Sequence, residues 1–312
     1  MDLGNVVAAT LALLSLAAIG VVVVMLTRVM RLPANAPRRM LSSSQSSSQS
    51  SSPSSSQSSP SPSSSQRVAF LGASLTHGTI SADFTARCAA RAGVDAGDVI
   101  NAGVNGDLAW NALQRLPQVM ACKPAVVVVL VGSNDVMSSL DRKRAERYRR
   151  VKRLPQEPTL DWYAENIAAI VDGVVAAGAR PILCTLPPLG EKLDDDVNAK
   201  VRAYNEAIAL VGKVKDVAVV DVHAAVVIEL GIDASHGIGA RRAARDFWAS
   251  DRLMVRSMFL RHILGWTWSR ISARNGYRFL TDGIHINDDA ADIVAMSVSS
   301  SLASALRSAS RG

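Results

Sequence analysis

Four short stretches carry residues suited to one chemistry. The first is Gly72-Ala73-Ser74-Leu75, where an apolar run from Val68 to Leu71 stops at a glycine and a serine follows. A strand that ends this way delivers a hydroxyl to the mouth of a sheet, among small neighbours that leave backbone N–H groups accessible. The second is Asn101-Ala102-Gly103-Val104-Asn105-Gly106, and the third is Gly132-Ser133-Asn134-Asp135. The fourth is Asp282-Gly283-Ile284-His285. Together they fit acyl transfer. A serine hydroxyl is a weak nucleophile until a base takes its proton. His285 is the candidate base, and Asp282 the carboxylate that orients it. The tetrahedral intermediate needs donors for its oxyanion. The expected donors are the N–H groups of Ser74 and Gly103 and the side-chain amide of Asn134. His77, His223, His236 and His262 compete with His285 for the role of base.

Those four stretches must be brought to one place. From Arg67 onward, short apolar runs alternate with amphipathic stretches, the pattern of βαβ units. Strands are expected near 67–71, 98–101, 124–131, 180–185 and 217–222. Helices are expected near 79–92, 107–120, 159–178, 194–212 and 287–307. Val126 to Val131 is apolar without alternation, as in a strand buried on both faces. The predicted architecture is a doubly wound α/β sandwich around a parallel sheet of about five strands. Ligands of such sheets bind beyond the carboxyl ends of the strands. Each of the four stretches is expected at that edge.

The four blocks together resemble the GDSL/SGNH hydrolase family, which is named for Ser, Gly, Asn and His. The resemblance covers essentially all of 67–306, with 138–158 and 223–280 reading as insertions. It implies Ser74 as nucleophile, Gly103 and Asn134 as oxyanion donors, and Asp282 and His285 completing a triad. It also implies a flavodoxin-like sheet, no metal and no cofactor. One departure is Ala73, where the family usually has aspartate before the serine; that position lies outside the triad.

Ahead of this domain stands an uncharged run of 21 residues, Val6 to Leu26. As a helix it would reach about 30 Å, enough to span a bilayer. Asp2 precedes it, and Arg28, Arg31, Arg38 and Arg39 follow it. That asymmetry predicts a single-pass anchor with the domain on the cytoplasmic side. Residues 42–66 are almost entirely Ser, Gln and Pro and read as a disordered tether, with a reach on the order of 25–30 Å. The expected organisation is therefore an anchor over 1–41, a leash over 42–66 and a hydrolase domain over 67–312.

Charge is unevenly spread. The formal net charge is +7, and the stretch 142–153 carries a net +7 by itself. A local patch of this kind does not make a nucleic-acid-binding protein. It reads as a solvated helix face or as a contact for anionic headgroups. Cys88, Cys122 and Cys184 show no metal-ligand or disulfide spacing and read as buried, reduced thiols. Leu260, Ile263, Leu264, Trp268 and Ile271 would share one face of a helix, as a packed element or an acyl-chain cleft. The function expected is a membrane-anchored serine esterase acting on a small-molecule or lipid ester. An acyltransferase with the same triad and a catalytically silent binding module are the alternatives.

Overall fold

Five apolar runs form five strands, and every pairing is parallel. The strands are β1 (Val68–Gly72), β2 (Val99–Gly103), β3 (Val126–Leu130), β4 (Arg180–Cys184) and β5 (Ala218–Val220). Their order across the sheet is β2-β1-β3-β4-β5, the flavodoxin-like arrangement. Val68 to Leu71 and Val126 to Leu130 are all buried, which explains why neither run alternates. The computed structural model describes residues 3–42, 67–235 and 250–310. The serine-rich segment from 43 onward, His236 and Trp248 lie outside the described residues.

The helices in chain order begin with α1 (Leu3–Met30), α2 (Ser74–His77), α3 (Phe84–Arg91), α4 (Ala109–Met120), α5 (Ser133–Ser138) and α6 (Arg142–Lys152). They continue with α7 (Leu160–Ala176), α8 (Asp196–Lys215), α9 (Val222–Ser235), α10 (Ser250–His262), α11 (Trp268–Asn275) and α12 (Asp288–Ala309). Helices α3, α9 and α12 pack together on one face of the sheet, and α4, α7 and α8 on the other. Side-chain caps set several helix starts. Asp83 accepts from the Thr85 and Ala86 N–H groups, so α3 begins at Phe84 rather than at 79. Asp195 caps α8 through the Asn198 N–H, and Asn287 caps α12 through the Ala290 N–H. Each such cap is worth about 1 kcal/mol.

Two expectations change. The helical face predicted across 260–271 is split, because α10 ends at His262, the chain turns at Gly265, and α11 starts at Trp268. Leu260, Trp268 and Ile271 are buried, while Leu264 is exposed. The basic stretch is not wholly solvated either: Lys152 turns inward from α6 and reaches Asp107 at 3.0 Å.

Helix α1 is long and apolar enough to cross a membrane, with a mean hydropathy of 2.5 over Thr10–Met30. Its C-terminal end is seated on the sheet domain, where Met25 and Val29 are buried against Ile80, Met258 and Ile263. The chain beyond it follows the outer edge of β2, and the Asn101 N–H donates to the Asn35 carbonyl at 3.1 Å. Ala36 is buried, and Met40 and Leu41 pack on the main core. The edge strand is thereby covered. Described residues on both sides of the serine-rich segment thus pack on the sheet domain.

Candidate active site

The sheet reverses its order between β1 and β3, and the crevice beyond that point is where ligands of such folds bind. Ser74 leaves the end of β1 as the first residue of α2. Only glycine fits two residues before it, at position 72. A Cβ on Gly72 would lie 2.0 Å from Thr76 Oγ1 and 2.4 Å from the Leu130 carbonyl. The tight packing of the nucleophile loop against α2 and β3 therefore depends on a missing side chain.

His285 arrives on a hairpin-like turn. Leu280 bridges Ile286 in antiparallel fashion, and the Thr281 N–H donates to the His285 carbonyl at 2.7 Å. Asp282 Oδ1 accepts the N–H groups of Ile284 at 3.0 Å and His285 at 2.9 Å. Its Oδ2 lies 2.7 Å from His285 Nδ1. His285 Nε2 lies 2.9 Å from Ser74 Oγ. One proton arrangement satisfies both contacts: Nδ1–H donates to Asp282, and the Ser74 hydroxyl donates to Nε2. All three residues are buried.

The turn is fastened from beneath by Glu191, in the loop after β4. Its carboxylate accepts the N–H groups of Arg278, Phe279 and Leu280 at 2.6 to 3.0 Å. Burial raises the Glu191 pKa, and those three N–H groups oppose the rise.

Asn134 stands on α5, after β3. Its Nδ2 donates to the Asp107 carbonyl at 2.9 Å, and its Oδ1 accepts the Tyr148 hydroxyl at 2.9 Å. Asn134 lines the cavity beside Ser74. Tyr148 comes from α6, a segment for which the sequence suggested no chemical part. Burial pushes its phenol up to about 12, so it stays a donor throughout the neutral range. We expect Tyr148→Phe to lower kcat for a short ester about three- to tenfold, the worth of one hydrogen bond, with KM little changed. Steady-state kinetics on p-nitrophenyl acetate would check this, and an unchanged kcat would refute it.

The expected donor Gly103 is placed elsewhere. Strand β2 runs two residues past its predicted end, to Gly103, which stands in register with Gly72. Its N–H donates to Asn101 Oδ1 at 3.0 Å. Gly103 lines a separate cavity of about 270 Å³ between β2 and residues 32–38. Gly106 is the glycine that lines the cavity shared by Ser74, Asn134 and His285, whose volume is about 340 Å³. It takes a left-handed φ of 77° that disfavours other residues. The Asn105-Gly106-Asp107 turn was its sequence signal.

Asp107 fixes this loop. Its buried carboxylate meets Arg115 Nε at 2.8 Å and Lys152 Nζ at 3.0 Å. Lys152 also donates to the Asn105 carbonyl at 2.7 Å. Arg115 further donates to the Ala102 and Gly72 carbonyls, linking the ends of β1 and β2. Asp135 accepts the Ala109 N–H at the start of α4. Burial pushes its pKa up to about 8, against the pull of the Ala109 N–H.

Two of the competing histidines, His77 and His262, are occupied by contacts to Thr79. His77 Nδ1 meets the Thr79 hydroxyl at 2.8 Å, and His262 Nε2 meets the Thr79 carbonyl at 2.8 Å. Burial lowers the pKa of His77, His223 and His262. The three cysteines are buried and free, with the Cys88 thiol pushed up to about 12 by burial. Among the described residues, no cluster of His, Cys, Asp and Glu is arranged to hold a metal ion.

A family model described as "GDSL-like Lipase/Acylhydrolase family" matches residues 70–292. No curated protein matches the chain. Among solved structures, a catalytic mutant of an acetylxylan esterase from Geobacillus stearothermophilus aligns at a TM-score of 0.51 and 14% identity, covering 76% of this chain and 94% of that one. An α/β hydrolase enzyme from the metagenome of Lake Arreo, Spain, aligns at 0.50 and 16% identity, covering 77% and 96%. A GDSL-like lipase from Bacteroides thetaiotaomicron aligns at 0.48 and 16% identity, covering 86% and 99%. At such identities the first two likenesses speak to the fold alone.

Proposed function

The chain belongs to the GDSL-like lipase/acylhydrolase family of ester-bond hydrolases, and from that premise we propose that it is a serine esterase working through a covalent acyl-enzyme. In this reading Ser74 Oγ attacks the ester carbonyl as its proton passes to His285 Nε2. Asp282 holds the imidazole and stabilises the imidazolium. The oxyanion is held by the N–H groups of Ser74 and Gly106 and by Asn134 Nδ2. The imidazolium then gives its proton to the departing alcohol. A water molecule enters, loses a proton to His285 and attacks the acyl carbon, which releases the acid and restores the serine. Helix α1 would hold the enzyme at a membrane.

The observation that carries this reading is the line of two contacts, 2.7 Å from carboxylate to imidazole and 2.9 Å from imidazole to hydroxyl, ending in the cavity that Asn134 also lines. A fluorophosphonate probe tests it. Peptide mapping is expected to find the adduct on Ser74 of the native chain and no adduct after heat denaturation. Labelling on another residue, or no labelling of the native chain, would overturn the nucleophile.

A further inference from the structure

The cavity beside Ser74 is not built by the sheet domain alone. Leu26 and Val29, from the last two turns of α1, line it together with Ile80, Met254, Met258 and Ile284. The helix end is tied into the loops that carry the site. The Val29 carbonyl accepts from the Thr79 hydroxyl at 3.0 Å and from Asn105 Nδ2 at 3.1 Å. Thr79 stands just past α2, and Asn105 directly precedes Gly106. Arg28 donates to the His262 carbonyl at the end of α10. A carbonyl in the last turn of a helix has no partner within the helix, so these bonds from the domain fix where α1 stops.

The rest of α1 has the opposite character. Only 6% of its most apolar window is buried, and Leu11, Leu13, Leu14, Leu16 and Ile19 are exposed. An apolar surface therefore continues from the exposed length of α1 to the wall of the cavity. Val151 on α6 and Val255 and Phe259 on α10 are also exposed, on two helices that themselves contribute side chains to the cavity. A cavity of about 340 Å³ is far larger than an acetyl group needs. These features suit a long hydrocarbon chain.

We propose that the end of α1 forms one wall of the acyl site, so that the helix selects a long-chain acyl ester presented from an apolar layer. This rests on Ser74 being the nucleophile. The acyl chain lies against Leu26 and Val29 with its carbonyl at Ser74, and the helix acts as a specificity element as well as an anchor. Each methylene that enters the wall raises kcat/KM about fourfold until the cavity is full.

The test uses the full chain in detergent micelles and a long-chain alkyl fluorophosphonate with a diazirine at its far end. Labelling followed by irradiation is expected to yield an adduct on Ser74 crosslinked to a peptide from the C-terminal half of α1. An adduct on Ser74 with crosslinks only to other elements would overturn the wall while leaving the nucleophile standing. No adduct on Ser74 would remove the nucleophile, and the wall with it. A variant supplies a second arm. Val29→Trp fills the cavity from the helix side, and the ratio of kcat/KM for decanoyl over acetyl p-nitrophenyl esters is expected to fall about tenfold or more. An unchanged ratio would place α1 outside the acyl path.

Discussion

Ser74→Ala is expected to lower kcat for p-nitrophenyl acetate by about four to six orders of magnitude, the loss seen when a serine nucleophile is removed from a triad. Among the described residues, the one side-chain bond of the hydroxyl is to His285 Nε2, so its removal leaves the sheet, the Asp282 contacts and the Glu191 anchorage in place. The melting temperature should therefore stay within a few degrees of the parent's, by the rule that about 1 kcal/mol moves a domain of this size by roughly 2–4 °C. Turnover within about tenfold of the parent, in a folded variant, would show that the hydroxyl is not the attacking group.

Asp282→Asn is expected to cost about four orders of magnitude in kcat/KM on the same ester. The two oxygens of Asp282 have separate tasks. Oδ1 holds the Ile284 and His285 N–H groups, and an asparagine carbonyl can do the same. Oδ2 receives Nδ1–H, and there an amide NH₂ would face the ring instead. The imidazole must then turn its lone pair toward residue 282 and carry its proton on Nε2, where it cannot take one from Ser74. The backbone turn survives while the proton relay is blocked. A loss smaller than about tenfold would mean that Asp282 serves only the turn.

Much of the fold was legible because it rests on burial. The run at Val126 predicted a strand enclosed on both faces, and β3 is that strand. Ser74, Asp282 and His285 were legible because each follows a recognisable change of pattern, and they meet within hydrogen-bonding distance. The glycine proposed here as an oxyanion donor was not. Gly103 and Gly106 lie three residues apart, and choosing between them requires knowing where β2 ends. Local pattern does not resolve a strand end to two residues. Once β2 continues to Gly103, the turn falls on Gly106 and the earlier glycine is held by Asn101. Tyr148 and Lys152 were hidden for a different reason. On a strongly basic helix they read as surface, and only the tertiary packing of α6 shows that one holds Asn134 and the other Asp107. The seat of α1 was equally hidden, because an apolar run shows a helix long enough to cross a membrane without saying what its last turn touches.

The carboxylate of Glu191 has a consequence for how such an enzyme diversifies. The imidazole's turn is held from two sides: by the exit of β4, through three backbone N–H groups, and by α10 and α11, whose Ser257, Ser272 and Asn275 side chains donate to the carbonyls of Leu280 and Thr281. Helix α10 therefore both lines the cavity and helps hold the turn that carries the base. A new ester is then accommodated by changing cavity-lining side chains such as Met254 and Met258, while the bonds to Leu280 and Thr281 keep the base where the serine requires it.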